Sequence, residues 1–267
     1  MKILFWNTHK NQEIDPYILA FIDENPCDII ILAEYVNSIR GLCNQLSLFA
    51  MDFYPWISPA CETIKIISKK CYQSTVMQDE KRYCIYSLNT VYGEFILTAL
   101  HLPCKLHFEP SDIEFYARRI RSDIEKIEEK LDHHRTFVVG DFNVNPFENA
   151  CIQADCFHAL SNGDEAKKGF RTVSGEKFTT FYNPMWNLFG DFESVSGSYF
   201  YNKNQIRIYQ WNIYDQVILR PELIDCFVKE SLRIVENIKG CSILDSKGKP
   251  DKKISDHLPI YFEIKEG

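Results

Sequence analysis

Short runs of apolar and β-branched residues recur along the chain, and polar residues bound each of them. Such runs predict strands buried on both faces, because half-exposed strands alternate apolar and polar positions. The run at 136–139 is the clearest, since it stops at Gly140 and leads directly into Asp141 and Asn143. On this basis strands are predicted at 3–6, 29–33, 64–67, 83–88, 95–100, 136–139, 214–219 and 258–264.

Asp141 and Asn143 occupy alternate positions beyond the end of their strand. If the chain stays extended there, the period of two points both side chains the same way. Ligands of open sheets gather outside strand ends, which favours a chemical role for a carboxylate and an amide at this place. The alternative is an Asp-x-Asn turn that only closes the strand, because both residue types favour turns.

Three segments have the three- and four-residue spacing of apolar positions that predicts helices. Asp15 followed by Pro16 predicts a helix start with the aspartate as N-cap. Ser111 and Glu114 predict a capping box at the start of the longest helix. The predicted helices cover 15–24, 38–49 and 111–131.

Residues 147–213 have no firm strand or helix pattern and are rich in aromatic and amide side chains. A segment of this length without clear elements is typical of functional loops. Tyr182, Asn183 and Trp186 are candidate substrate-binding residues, since such side chains stack on bases and hydrogen-bond to them. An equally weighted alternative is a small aromatic core beneath a long loop.

Length, net charge and cysteine content indicate which class of protein this is. The chain has 267 residues, a length that suits one domain covering 1–267, and no linker or repeat interrupts it. Its net charge of −7 argues mildly against a tight grip on a long run of phosphates. The ten cysteines have no zinc-ligand spacing, and no apolar run is long enough to span a bilayer. We therefore expect a cytoplasmic protein with reduced thiols and no membrane partner.

Eight polar residues lie at the edges of the predicted strands. Carboxylates and amides without cysteine suit a hard cation, Mg²⁺ or Mn²⁺, which also bridges to substrate phosphate. Histidines beside acids suit proton transfer near neutral pH. Together these groups predict metal-assisted hydrolysis of a phosphate ester. The eight residues are Asn7, Glu34, His101, Asp141, Asn143, Asp215, Asp256 and His257.

The same residues, in this order, resemble the endonuclease/exonuclease/phosphatase superfamily. The motifs that carry the resemblance are Gly140-Asp141-Phe142-Asn143 and Ser255-Asp256-His257, joined by the strand ends at Asn7, Glu34 and His101. The resemblance implies an α+β fold, a four-layer α/β/β/α sandwich in which two mixed β-sheets pack face to face with helices outside. The histidine at 101 makes the chain similar to the deoxyribonuclease-like, phosphatase-like and sphingomyelinase-like branches of the superfamily.

The resemblance also implies a role for each residue. Glu34 would be the principal metal ligand, with Asn7 and Asp256 around the same ion or a second one. Asp141 would orient or activate the attacking water, and Asn143 would hold a phosphate oxygen. The remaining implied roles are those of His257, an acid–base or phosphate donor aligned by Asp215, and of His101, which Glu62 would support.

These expectations lead to one main hypothesis, a Mg²⁺- or Mn²⁺-dependent phosphoesterase that cleaves the phosphodiester bonds of DNA or RNA. One alternative is a phosphatase or phosphodiesterase that acts on a small phosphorylated molecule, such as an inositol phosphate or a nucleotide. A second is a non-catalytic binding module with the same fold. The sequence does not distinguish endonuclease from exonuclease attack, or one metal ion from two.

Overall fold

The computed structural model describes residues 1–192, 194–203 and 209–266, so residues 193 and 204–208 of the segment 147–213 lie outside the described residues. Two short 3-10 helices, Pro184–Leu188 and Pro221–Leu223, accompany the helices and strands. In chain order these are β1 (Lys2–Asn7), α1 (Asp15–Glu24), β2 (Ile29–Ala33), α2 (Ile39–Ser47), β3 (Phe53–Pro55), β4 (Ile64–Lys69), β5 (Gln73–Glu80), β6 (Tyr83–Thr90), β7 (Gly93–His101), α3 (Pro110–Leu131), β8 (Thr136–Asp141), α4 (Asn149–Ile152), β9 (Ala159–Leu160), α5 (Gly163–Ala166), β10 (Phe170–Val173), β11 (Glu176–Thr179), β12 (Phe181–Tyr182), β13 (Tyr199–Phe200), β14 (Trp211–Asn212), β15 (Asp215–Leu219), β16 (Phe227–Ile234), β17 (Asn237–Ile238), β18 (Cys241–Ser242) and β19 (Ile260–Ile264).

All eight strands predicted from apolar runs are present, as β1, β2, β4, β6, β7, β8, β15 and β19. The pattern missed β5 and β16, whose side chains are largely polar and partly exposed. Both strands lie at the edge of a sheet, where one side of the strand has no neighbour and a continuous apolar run is not needed.

Two mixed sheets contain most of the strands. The first has six strands in the order β16-β19-β1-β2-β4-β3, and the second has seven in the order β5-β6-β7-β8-β15-β12-β9. Each sheet has a parallel pair at its centre, β1 with β2 and β7 with β8, and the strands next to each pair are antiparallel to it. A second parallel pair, β12 with β9, lies at the edge of the second sheet. This mixed topology confirms the two-sheet α+β architecture that the resemblance implied.

The alternation of side chains along β8 defines the layers. Phe137 and Val139 belong to the core that joins the two sheets, together with residues of β1 and β2. Val138 points the other way and packs with Ile120 and Ile124 of α3. The second sheet is therefore covered by the first sheet on one face and by α3 on the other, which explains why its central strands are apolar at every position.

Two of the predicted helix starts differ in their capping residues. Helix α1 begins at Asp15, but its N-cap is Ile14, and the Asp15 carboxylate accepts a hydrogen bond from Tyr35 Oη instead. Helix α3 begins at Pro110, with Glu109 as N-cap and Asp112 completing the capping box. The predicted Ser111 cap was therefore wrong by two residues, because Pro110 suits the first helical position and allows the helix to start earlier.

At Gly140, β8 leaves no room for a side chain. A Cβ there would overlap the backbone oxygen of Leu100 on β7. We expect Gly140→Ala to lower the free energy of unfolding by about 1–3 kcal/mol or more, because the backbones of a parallel pair would have to separate. Urea denaturation measures the change. Gly163→Ala is the control, since its new Cβ would meet only ordinary contacts at 3.6 Å and beyond; equal stability losses would contradict the prediction.

All ten cysteines are free thiols. Among the described residues, no helix is both long enough and apolar enough to cross a membrane.

Candidate active site

Three strand ends of the second sheet direct polar side chains into the space between the two sheets. His101, Asp141 and Asp215 continue the alternation of the core-facing residues of β7, β8 and β15. They also lie side by side, because His101 pairs with Asp141 across the parallel pair and Asp215 pairs with Asp141 across the antiparallel one. Strand period and register together therefore place these three side chains in one row.

The side chain of Asp141 forms a hydrogen bond between the two sheets. Its Oδ2 atom accepts a hydrogen bond of 2.9 Å from Nδ2 of Asn7, which ends β1 of the first sheet. The same oxygen lies 3.7 Å from Nε2 of His101 and 3.8 Å from Nε2 of His257. The side chain is only 1% exposed, and burial raises the pKa of Asp141 to about 7. A carboxylate with this pKa can take up and release a proton near neutral pH.

His257 is held by a second buried carboxylate. Its Nδ1 atom lies 2.8 Å from Oδ2 of Asp215, which is fully buried. Burial works to lower the pKa of His257, but the negative charges of Asp215 and Asp141 outweigh it and raise the pKa to about 10. The ring is therefore cationic at neutral pH, and its Nε2–H is directed towards Asp141.

His101 has the opposite electrostatic character. Burial lowers its pKa to about 4, with Glu34 opposing that shift, so the ring is neutral at pH 7. Its Nε2 atom lies 3.6 Å from Oε1 of Glu34. Within the described residues its Nδ1 atom has no hydrogen-bond partner. Glu62, the residue expected to support it, is exposed, and the described part of the chain has no hydrogen bond between the two.

Glu34 and Asp256 lie at the more open side of the site. Glu34 directly follows β2 in a left-handed conformation with φ of 53°, and its side chain is 22% exposed. Asp256 has its Oδ1 atom 3.0 Å from Nδ1 of His9, a histidine that the sequence analysis did not single out. Lys10 Nζ is 3.9 Å from Glu34 Oε2. The loop after β1 thus brings two basic side chains against the two acids.

Asn143 does not continue the extended strand. Its φ is 51°, and its backbone N–H donates to Oδ1 of Asp141, which is the Asp-x-Asn turn considered as the alternative. Its side-chain Nδ2 donates to the carbonyl of Leu102. The two oxygens of Asp141 therefore have different roles. Oδ1 closes the turn, and Oδ2 faces Asn7 and the two histidines.

The candidate substrate-binding residues of the long segment are mostly buried. Tyr182 is buried and pairs with Leu219, at the end of β15 remote from Asp215. Asn183 is fully buried, and its amide bonds to Gln216 and to the backbone of Met185. Trp186 alone has partly exposed surface, in an aromatic cluster with Phe147 and Phe189. This arrangement corresponds to the alternative of a small aromatic core.

Tyr199 and Ser255 contact His257, and neither was among the predicted site residues. The ring of Tyr199 lies 4.7 Å from the His257 ring and stacks on Tyr214. Ser255 Oγ donates to the carbonyl of Asn7 and accepts the His257 N–H, which ties the last motif to the end of β1. Tyr199 stands in a conspicuous aromatic run, but no sequence pattern indicated that this run would pair with His257.

The charge and donor types fit a bound divalent cation. The space between the sheets contains the carboxylates of Glu34, Asp141 and Asp215 and the amide oxygen of Asn7, an oxygen-rich set that suits Mg²⁺ or Mn²⁺. Asp141, Asp215 and His257 also have potential ligand atoms within 4.8 Å of one another. One buried oxygen of Asp215, Oδ1, has no hydrogen-bond partner among the described residues. A buried carboxylate oxygen without a hydrogen-bond partner can be satisfied by a bound cation.

Comparisons with known proteins bear on the fold. No protein-family model and no curated protein matches the chain. An AP endonuclease from Archaeoglobus fulgidus is similar in structure with a TM-score of 0.57 and 13% identity, covering 99% of each chain. A 3'-5' exonuclease, NExo from Neisseria meningitidis, has a TM-score of 0.56 and 14% identity, covering 99% of this chain and 100% of its own.

An endonuclease/exonuclease/phosphatase family protein from Bacteroides thetaiotaomicron has a TM-score of 0.54 and 11% identity, covering 99% of this chain and 97% of its own. At such low identity, the likeness establishes the arrangement of the chain in space. This protein therefore adopts, over nearly its whole length, the fold of the endonuclease/exonuclease/phosphatase superfamily.

Proposed function

We propose that this protein is a divalent-metal-dependent phosphoesterase that hydrolyses phosphodiester bonds in DNA or RNA. The observation that carries the proposal is the convergence on one oxygen of Asp141, which has Asn7, His101 and His257 within 3.8 Å. Those groups come from strand ends of both sheets and from the last motif of the chain. Binding alone does not require a buried carboxylate of raised pKa beside a cationic histidine, whereas proton transfer uses both.

The protonation behaviour of Asp141 suits it to accept a proton, and that of His257 suits it to donate a hydrogen bond. Asp141, with a pKa raised to about 7 by burial, orients a water molecule and accepts its proton. His257, kept cationic by Asp215, donates a hydrogen bond to a phosphate oxygen and stabilises the charge that develops there. We assign to Asn143 a contact to phosphate through its amide and to neutral His101 a hydrogen bond to the same group.

Glu34, Asn7 and Asp256 would hold the metal ion. Glu34 is the principal candidate because its carboxylate is partly open to solvent, as a cation that retains waters requires. When bound, the ion neutralises phosphate charge and polarises the bond that breaks. The nucleic-acid substrate is supported by the structural neighbours named as an AP endonuclease and a 3'-5' exonuclease. Free thiols throughout the chain support a cytoplasmic location.

A substrate panel tests the function directly. We expect nicking or degradation of supercoiled plasmid and of single-stranded oligonucleotides in Mg²⁺ or Mn²⁺, with complete loss in a chelator and recovery on adding back metal. Plasmid topology on agarose gels and oligonucleotide length on denaturing gels are the measurements. Hydrolysis of a small phosphoester with intact nucleic acids would contradict the nuclease assignment. Binding of nucleic acid with no hydrolysis of any phosphate ester would indicate a binding module.

The metal assignment predicts a specific defect for Glu34→Gln. The neutral amide removes one charged ligand, so we expect the Mg²⁺ concentration for half-maximal activity to rise about 10- to 100-fold. Magnesium titration of the cleavage rate measures the shift. Glu129→Gln is the matched control, because Glu129 is exposed on α3, which covers the face of the second sheet away from the first sheet. Unchanged magnesium dependence in Glu34→Gln would exclude Glu34 as a ligand.

A further inference from the structure

A cleft of about 410 Å³ adjoins the candidate active site on the side of Asp256. Asp256 itself lines the cleft, and its neighbour in sequence is His257. Phe200 forms part of the wall, directly after Tyr199, whose ring lies against His257. Asp256 therefore belongs both to the candidate site and to the wall of the cleft.

Three lysine side chains are part of the lining of this cleft. Lys249, Lys252 and Lys253 line it, within a segment that also carries Lys247. The ammonium of Lys249 lies 4.0 Å from the centre of the Phe200 ring, a cation–π contact that positions it at the wall. Asp245, Asp251 and Asp256 line the same cleft, so whether its ammonium groups can meet an anion depends on how these three carboxylates are engaged.

The aspartates of the same segment are engaged with its backbone. Asp245 Oδ1 accepts the N–H groups of Lys247 and Lys249, and Asp251 Oδ1 accepts that of Lys253. By contrast, no carboxylate of the described residues lies within 4 Å of the ammonium of Lys252 or Lys253. The third aspartate of the lining, Asp256, faces His9 at 3.0 Å. The three carboxylates are thus engaged by backbone N–H groups or by His9, which leaves the ammonium groups of Lys252 and Lys253 to meet an anion.

We propose that this cleft binds the phosphates that flank the scissile phosphate in a polynucleotide strand. The inference rests on the proposed function and deepens it, because a small phosphorylated molecule has no such flanking phosphates to place there. Three ammonium groups beside one reaction site match a substrate whose negative charges repeat along a chain. The substrate strand then extends from Asp141 past Asp256 and along Lys249, Lys252 and Lys253.

The test compares two triple variants of equal charge. The cleft variant, Lys249→Gln/Lys252→Gln/Lys253→Gln, removes the three ammonium groups of the cleft. The control variant, Lys70→Gln/Lys130→Gln/Lys229→Gln, removes three exposed lysines near the ends of β4, α3 and β16 that are remote from the candidate site. Binding of fluorescein-labelled single-stranded DNA and RNA is measured by anisotropy in a chelator, over a range of salt concentrations. Hydrolysis of bis(p-nitrophenyl) phosphate, which has a single phosphate, is measured separately in Mg²⁺.

We expect the cleft variant to bind the oligonucleotides about tenfold or more weakly and its salt slope to fall by about 2, from three contacts at roughly 0.7 each. In hydrolysis, its loss should be larger for oligonucleotides than for bis(p-nitrophenyl) phosphate. Equal binding by wild type and cleft variant, or equal weakening in the control variant, would overturn the proposal. Lack of metal-dependent hydrolysis of any ester by the wild type would instead overturn the proposed function, while the binding comparison would still decide the cleft.

Discussion

Replacing Asp141 with asparagine is expected to lower kcat about 10²–10⁴-fold while leaving the fold intact. Asparagine has nearly the same shape, so it can still occupy the space between Asn7 and the two histidines, but it cannot accept a proton from water. The measurement is the rate of metal-dependent oligonucleotide cleavage under saturating substrate. Asp52→Asn, at an exposed position, is the matched control. Retention of more than a tenth of wild-type kcat would remove Asp141 from the proton-transfer role.

The same variant should also be more stable than the wild type when metal is absent. The folded-state pKa of Asp141 is raised from 3.8 to about 7, so the folded protein binds a proton that the unfolded chain releases. The contribution of this carboxyl to stability is therefore greatest below pH 3.8 and is lost as pH rises through 7. Asparagine does not titrate, so the stability advantage of the variant in a chelator should grow between these pH values.

Chemical denaturation at several pH values measures this advantage. If the wild type instead gained stability relative to the variant as pH rises over this range, the raised pKa of Asp141 would be contradicted. Added Mg²⁺ should reduce the difference, because a cation beside Asp141 favours its charged form. Catalytic loss combined with greater stability is the signature of a carboxylate held in place for chemistry.

Replacing Arg220 with alanine is expected to lower the free energy of unfolding by about 3–5 kcal/mol. Arg220 follows β15 at the end remote from the active site, and its guanidinium is bidentate to Glu128 of α3, with two contacts of 2.9 Å. It also bonds to Thr179 and covers the Phe181 ring at 4.0 Å. Removing it would leave the carboxylate of Glu128, which is essentially unexposed, without its main counter-charge.

Guanidinium or urea denaturation provides the measurement, with Arg40→Ala at an exposed position as the control. The double variant Arg220→Met/Glu128→Leu should recover most of the lost stability, because a buried apolar pair avoids the cost of an unpaired charge. An Arg220→Ala protein as stable as the Arg40→Ala control would show that α3 and the second sheet are not joined through this pair.

The pair also predicts how stability depends on acid. Burial works to raise the pKa of Glu128, but the hydrogen bonds from His134 and Arg220 and the charge of Arg220 outweigh it and lower the pKa below 4.5. The stabilisation is therefore fully present above pH 4.5 and is lost as pH falls through the folded-state pKa. In Arg220→Ala this acid-dependent part should be smaller.

Much of the architecture was predictable because the central strands are buried on both faces. β8 is apolar at each position from Phe137 to Val139, so its location and its end at Asp141 follow from local sequence. The edge strands β5 and β16 were not predictable in this way, since their side chains are half in water and resemble a loop in composition. Helix α3 was found from its periodicity, but its first turn was misplaced because Pro110 and Glu109 compete with Ser111 for the start.

The candidate site likewise has features that local sequence determines and features that depend on contacts between distant segments. The sequence by itself determined that Asn7, His101 and Asp141 end buried strands and that Asp215 begins one, because apolar runs and their limits are local properties. Only the tertiary structure decided that these ends meet, since the pairing register and the facing of the two sheets depend on contacts between distant segments. It also turned Asn143 into a left-handed turn, buried Asn183 and left Glu62 exposed, because side-chain direction beyond a strand end follows the path of the loop.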